Sequence, residues 1–105
     1  MTHLLFVSQR GHDHNSCGNL IMPCRTVRYA VKMSHDGDEI YINYGQGTPY
    51  AECENVTQLS CSIELTKSLS FHGINGKAEI QCKKCPNFFT ITSPSFNITR
   101  IYFSN

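Results

Sequence analysis

No run of apolar residues in this 105-residue chain approaches the roughly 18 that a membrane-spanning helix needs, so a helical membrane span within it is excluded. A dominant charge is missing too. Nine Lys and Arg stand against eight Asp and Glu, a formal balance of +1 with both signs scattered, which leaves no electrostatic footprint for nucleic acid or an anionic membrane. Charged residues are only 16% of the chain. Ser, Thr, Asn and β-branched residues take their place, and they suit strands better than helices. Nor is a leader read: Leu4-Leu5-Phe6-Val7 is far too short for the apolar region of a signal peptide, and no small-residue cleavage site follows it.

What the chain does have is cysteine. Six in so short a sequence, an even number, is the framework arithmetic of a secreted domain. Two N-glycosylation sequons, Asn55-Val56-Thr57 and Asn97-Ile98-Thr99, agree with an extracellular or cell-surface location, with the signal segment expected outside this sequence. One small domain is the most that 105 residues make, able to bury roughly 60–68% of its unfolded surface.

Along the chain, Leu4 to Val7 reads as a first strand, with Leu5 and Val7 on one face and Leu4 and Phe6 on the other. Gln9 to Pro23 is a loop rich in Gly, Asn, Asp and His. Thr26 is placed to cap a helix over Thr26–Ser34, in which Val27, Ala30 and Val31 form one apolar stripe. Gly37 suits the left-handed residue beyond that helix. From Glu39 the period changes to two: Ile40, Ile42 and Tyr44 alternate with Glu39, Tyr41 and Asn43. The alternation returns in Ile63/Leu65, Leu69/Phe71, Ala78/Ile80/Cys82, Phe89/Ile91 and Ile101/Phe103. Short strands at this spacing fit an antiparallel sandwich or a β-helix. One early helix, with few hairpin-type Asn-Gly turns apart from Asn75-Gly76, favours the β-helix.

The order of motifs resembles the N-terminal coils of right-handed parallel β-helix proteins of the pectin-lyase-like superfold. The resemblance is carried by Gly11-His12-Asp13, Cys17-Gly18…Pro23-Cys24, Thr26-Val27 and Gly37-Asp38-Glu39-Ile40-Tyr41-Ile42. It continues in Leu65-Thr66-Lys67-Ser68-Leu69-Ser70-Phe71-His72-Gly73 and Ile101-Tyr102-Phe103-Ser104-Asn105. It implies an all-β solenoid start with one short N-terminal capping helix. Residues 1–105 are then expected to be a single domain, the N-terminal fragment of a longer stack, because a solenoid that ended at Ile101-Tyr102-Phe103 would lack a polar cap. The interval from Phe71 to Phe103 is long for one coil and predicts an insertion or an irregular turn. In the resembling family the Asp of Gly-x-Asp, here Asp13, is a turn former whose carboxylate satisfies loop amides.

Candidate site residues are few. The simplest cysteine framework is local: Cys17 with Cys24, Cys53 with Cys61, and Cys82 with Cys85, although fifteen connectivities are open. A zinc site would want a second Cys-x-x-Cys knuckle or paired histidines, and a redox pair should open a helix, which Pro86-Asn87 opposes. His12-Asp13-His14 has chelating spacing, but the turn role implied for Asp13 is preferred, so no metal site and no cofactor are expected. His35 and His72 show no partner and read as surface residues. Tyr41, Tyr44 and Tyr50, around the Gly45-Gln46-Gly47 turn, form a candidate carbohydrate-stacking platform against the plainer alternative of packing on the sheet.

No catalytic constellation is read. Asp36 and Asp38 lie at a turn before the first regular strand, and Glu52, Glu54 and Glu64 have no basic partner at a repeating position. The expected function is a non-enzymatic extracellular module with a structural, adhesive or ligand-presenting role. Its expected partners are carbohydrate, another extracellular protein, or downstream coils of the same polypeptide. The alternative is the N-terminal portion of a polysaccharide lyase or glycoside hydrolase whose catalytic coils lie downstream. A third class is a small disulfide-rich sandwich that binds another protein.

Overall fold

The computed structural model describes residues 3–44, 50–51, 63–81, 89–91 and 96–104. Within them the element order is β1 (Leu4–Val7), α1 (Val27–Met33), β2 (Glu39–Asn43), β3 (Tyr50–Ala51), β4 (Ile63–Leu65), β5 (Leu69–Ile74), β6 (Ala78–Gln81), β7 (Phe89–Ile91), β8 (Phe96–Thr99) and β9 (Ile101–Ser104). The described residues form a β-rich fold of parallel sheets with one helix. The first sheet runs β1-β2-β5-β8, the second β3-β6-β9 and the third β4-β7. Every strand pairing among the described residues is parallel. From β2 onward the chain visits the three sheets in a fixed order and then repeats it, so strands three apart in sequence lie side by side.

The period-two pattern decides which face is inside. Ile40 and Ile42 of β2, Leu69 and Phe71 of β5, and Ala78 and Ile80 of β6 are buried, while Glu39, Tyr41 and Asn43 between them are half-buried. These residues join Val7, Tyr50 and Leu65 in one core to which all three sheets contribute. Tyr44, grouped by parity with Ile40 and Ile42, lies beyond the end of β2 and is exposed. The partner of Phe71 in the next strand is Ile98, whereas Phe103 belongs to the second sheet opposite Ile80. The long interval from Phe71 to Phe103 therefore spans a sheet change rather than one coil. Asn75-Gly76 does not close a hairpin: Asn75, with φ 61°, turns the chain from the first sheet into the second.

Helix α1 is seven residues long, too short to persist alone. It is held by its ends and by its stripe. The Thr26 hydroxyl accepts from the Tyr29 amide at 3.2 Å, and Val27, Ala30 and Val31 are buried in the core beside β1 and β2. At the other end the Ser34 hydroxyl donates to the Val31 carbonyl. The Lys67 ammonium, from the segment before β5, donates to the carbonyls of Val31 at 2.9 Å and Ser34 at 2.6 Å. A cation beside the C-terminal carbonyls is also favoured by the helix dipole. Lys67→Met should keep most of the stem packing and lose these charged hydrogen bonds, costing about 1.5–3 kcal/mol in urea unfolding.

The loop between β1 and α1 is pinned by the Cys17–Cys24 disulfide. Both of its ends bind the edge of β1: Phe6 donates to the Gly18 carbonyl, Cys24 donates to the Phe6 carbonyl, and Ser8 donates to the Cys24 carbonyl. The loop thus covers an edge strand that would otherwise offer unpaired backbone groups. Asp13 closes it from outside, accepting from the amides of Arg25 at 2.7 Å and Thr26 at 3.0 Å and from the Thr26 hydroxyl at 2.7 Å. Its carboxylate serves loop amides, as the resemblance implied. Cys53, Cys61, Cys82, Cys85 and Asn55 lie outside the described residues.

Candidate functional site

Parallel pairing in register sets side chains of successive strands directly beside one another. In the first sheet this places Phe6 opposite Tyr41, Tyr41 opposite His72, and His72 opposite Thr99. Their parity is opposite to that of the core residues. The rings of Phe6 and Tyr41 stack with centroids 5.5 Å apart and planes 22° apart, and those of Tyr41 and His72 stack at 5.1 Å and 28°. Both separations lie in the range where aromatic pairs add to simple burial. The His72 imidazole Nε2 is hydrogen-bonded to Glu39 Oε1 at 3.0 Å, which fixes the ring at the end of the row.

At the opposite end, Phe6 borders a shallow cavity of about 150 Å³, whose wall includes Leu20, Asn43, Ile74 and Asn75. The Asn75 side-chain amide donates from Nδ2 to Asn43 Oδ1 at 2.7 Å, setting two side-chain amide groups beside the aromatic row. Leu20, 74% exposed, lies on the tip of the disulfide-pinned loop next to the similarly exposed Ile21. The site therefore combines a rigid aromatic row, a pair of linked amides and an apolar rim. These are the components of recognition by hydroxyl-bearing ligands with apolar faces.

The expected tyrosine platform is not assembled as a trio. Tyr41 lies at the centre of the aromatic row. Tyr44 is exposed beside Gly76, outside the row. Tyr50 is 2% exposed, and its hydroxyl donates to the Asn43 carbonyl at 2.6 Å, so it is a core residue with its one polar atom satisfied. Phe6 and His72 were missed. His72, read as a surface residue without a partner, is held by Glu39 and Tyr41. Only the inter-strand register brings these residues together, and a single strand's alternation does not contain it.

Of the other sequence candidates, Asn97 is exposed on β8, an outer strand of the first sheet among the described residues. His12 is exposed and His14 half-buried in the loop, where the His14 Nδ1 accepts from the Ser16 amide. On the second sheet the Tyr102 hydroxyl donates to Glu79 Oε1 at 3.0 Å; this hydrogen bond to a carboxylate raises the phenol above its ordinary range. No helix among the described residues is long and apolar enough to cross a membrane. Compared with known proteins, the chain matches no family model, no curated protein and no solved structure.

Proposed function

We propose that the chain forms the coils of a right-handed parallel β-helix and serves as an extracellular or cell-surface module that presents its first sheet to carbohydrate. The repeated order of the three sheets supports the coil, since each circuit from β2 onward returns the chain to the sheet it left, beside the earlier strand. The right-handed sense follows from the general rule that crossovers between parallel strands of one sheet are right-handed in about 98% of cases. The Cys17–Cys24 disulfide and the two sequons support an oxidising compartment.

The observation that carries the ligand reading is the stacked row Phe6–Tyr41–His72 running into the cavity beside Asn43 and Asn75. That cavity is smaller than the roughly 300–1,000 Å³ of sites that enclose a whole small ligand. It suits one ring of an extended saccharide, with neighbouring sugar units lying along the sheet. Phe6 supplies apolar contact for the ring, and the linked amides meet its hydroxyls.

The test is a glycan-array screen followed by titration of the best ligand into the wild-type chain, Phe6→Ala and Asn75→Ala. Loss of one aromatic contact, about 0.5–1.5 kcal/mol, should weaken binding by roughly two- to tenfold in Phe6→Ala. Asn75→Ala should weaken it comparably. Absence of any glycan ligand, or affinity unchanged in both variants, would reject the proposal.

A further inference from the structure

Away from the aromatic row, the residue before β1, His3, is brought to the turn before β2, where His35 and Asp38 lie three residues apart. Asp38 is 2% exposed, yet carries a carboxylate. Its Oδ1 accepts from the His3 backbone amide at 3.1 Å and its Oδ2 from the His35 backbone amide at 2.8 Å. The carboxylate is thus clamped between the backbones of the same two residues whose rings flank it. The His3 Nδ1 lies 3.9 Å from Oδ1 and the His35 Nδ1 lies 3.9 Å from Oδ2. All three ligand atoms lie within 4.8 Å of one another.

We propose that His3, His35 and Asp38 bind a divalent transition-metal ion of the zinc type. Two imidazoles and one carboxylate form a donor set that suits zinc, whereas calcium and magnesium take oxygen ligands. Bond lengths of about 2.0–2.2 Å in a tetrahedron put donor atoms roughly 3.3 Å apart. Closing from 3.9 Å between each imidazole and the carboxylate, and from no more than 4.8 Å between any two donors, requires a swing of each ring. The rings are free to make it, since the two histidine side chains are 63% and 81% exposed while the carboxylate is fixed. The two backbone hydrogen bonds orient the carboxylate, leaving each oxygen a further lone pair for metal. Three protein ligands leave a fourth position for water.

The other grouping of ligand-type residues among those described, Asp13 with Cys17 and Cys24, offers no thiolate because its sulfurs are joined in the disulfide. Bound metal would tie the start of β1 to the α1–β2 turn, so binding should raise the thermal midpoint as well.

The experiment is calorimetric titration of the untagged, disulfide-intact chain with Zn²⁺, with Co²⁺ absorption to report coordination. One ion should bind, and Co²⁺ should give the visible bands of a low-symmetry nitrogen and oxygen site. His3→Ala and His35→Ala remove exposed rings and leave the backbone clamp in place. Each should weaken binding by about tenfold or more, at least the loss seen when outer-shell partners of a metal ligand are removed. The double variant His12→Ala/His14→Ala should bind as wild type. No binding by the wild-type chain, binding retained in His3→Ala and His35→Ala, or binding lost in the His12/His14 variant would each overturn the assignment.

Discussion

Phe71→Ala is expected to lower stability by about 3–5 kcal/mol, the cost of deleting a large buried aromatic side chain and leaving a cavity. Phe71 is 1% exposed, lies between Ile40 of β2 and Ile98 of β8 in the register of the first sheet, and meets the ring of Phe96 edge-on at 5.6 Å. Against a total of about 5–15 kcal/mol for a typical domain, such a loss removes roughly a fifth of the margin or more. Urea unfolding should show a strongly reduced midpoint for Phe71→Ala. The volume-sparing Phe71→Leu should cost distinctly less. Phe6→Ala, on the outer and half-buried side of the sheet, should fall well short of the Phe71 value. Equal losses at Phe6 and Phe71 would mean that the inside and outside of the sheet are wrongly assigned.

Gly73→Ala is expected to be comparably severe for a different reason. Gly73 is buried opposite Ile42, where the corner leaving β5 touches the corner leaving β8. A Cβ there would overlap the carbonyl oxygen of Arg100 and lie 3.0 Å from its carbon and 3.2 Å from the Ala78 nitrogen. Those obstacles are backbone, not the flexible end of a side chain. The Arg100 carbonyl is also the acceptor for the Ala78 amide at 3.1 Å. Making room would push the adjoining corners apart, with overpacking of about 1–3 kcal/mol or more added to a strained or lost hydrogen bond of about 1 kcal/mol. Gly37 is the control. It has φ +88° but open space around its missing Cβ, so Gly37→Ala carries only the left-handed backbone penalty of about 1–2 kcal/mol. Denaturant midpoints that ranked Gly37→Ala below Gly73→Ala would contradict the close approach.

Local features were legible in the sequence. Thr26 caps the helix, Val27, Ala30 and Val31 make its buried stripe, and the alternation at Ile40/Ile42, Leu69/Phe71 and Ala78/Ile80 marks the inward face of each strand. The Cys17–Cys24 loop was legible because its two cysteines are near neighbours bracketed by Gly18 and Pro23. Features made between circuits of the chain were hidden. Tyr50 sits in a strand of two residues, too short to display a period, so its burial could not be read from pattern. Lys67 shows no sign in sequence that it caps a helix more than thirty residues earlier. Phe6, Tyr41 and His72 become neighbours only once the strands are stacked in register, and the same holds for His3 and the Asp38 turn.

Parallel stacking in this register builds both the core and the outward aromatic row. Inter-strand nuclear Overhauser effects in the isotope-labelled chain test it most directly. Ring protons of Phe6 should show cross-peaks to Tyr41, and those of Tyr41 to His72, while backbone contacts pair Glu39 with Ser70 and Asn43 with Ile74. Contacts that pair Glu39 with Ile74 instead, the signature of antiparallel strands, would contradict both the fold and the site.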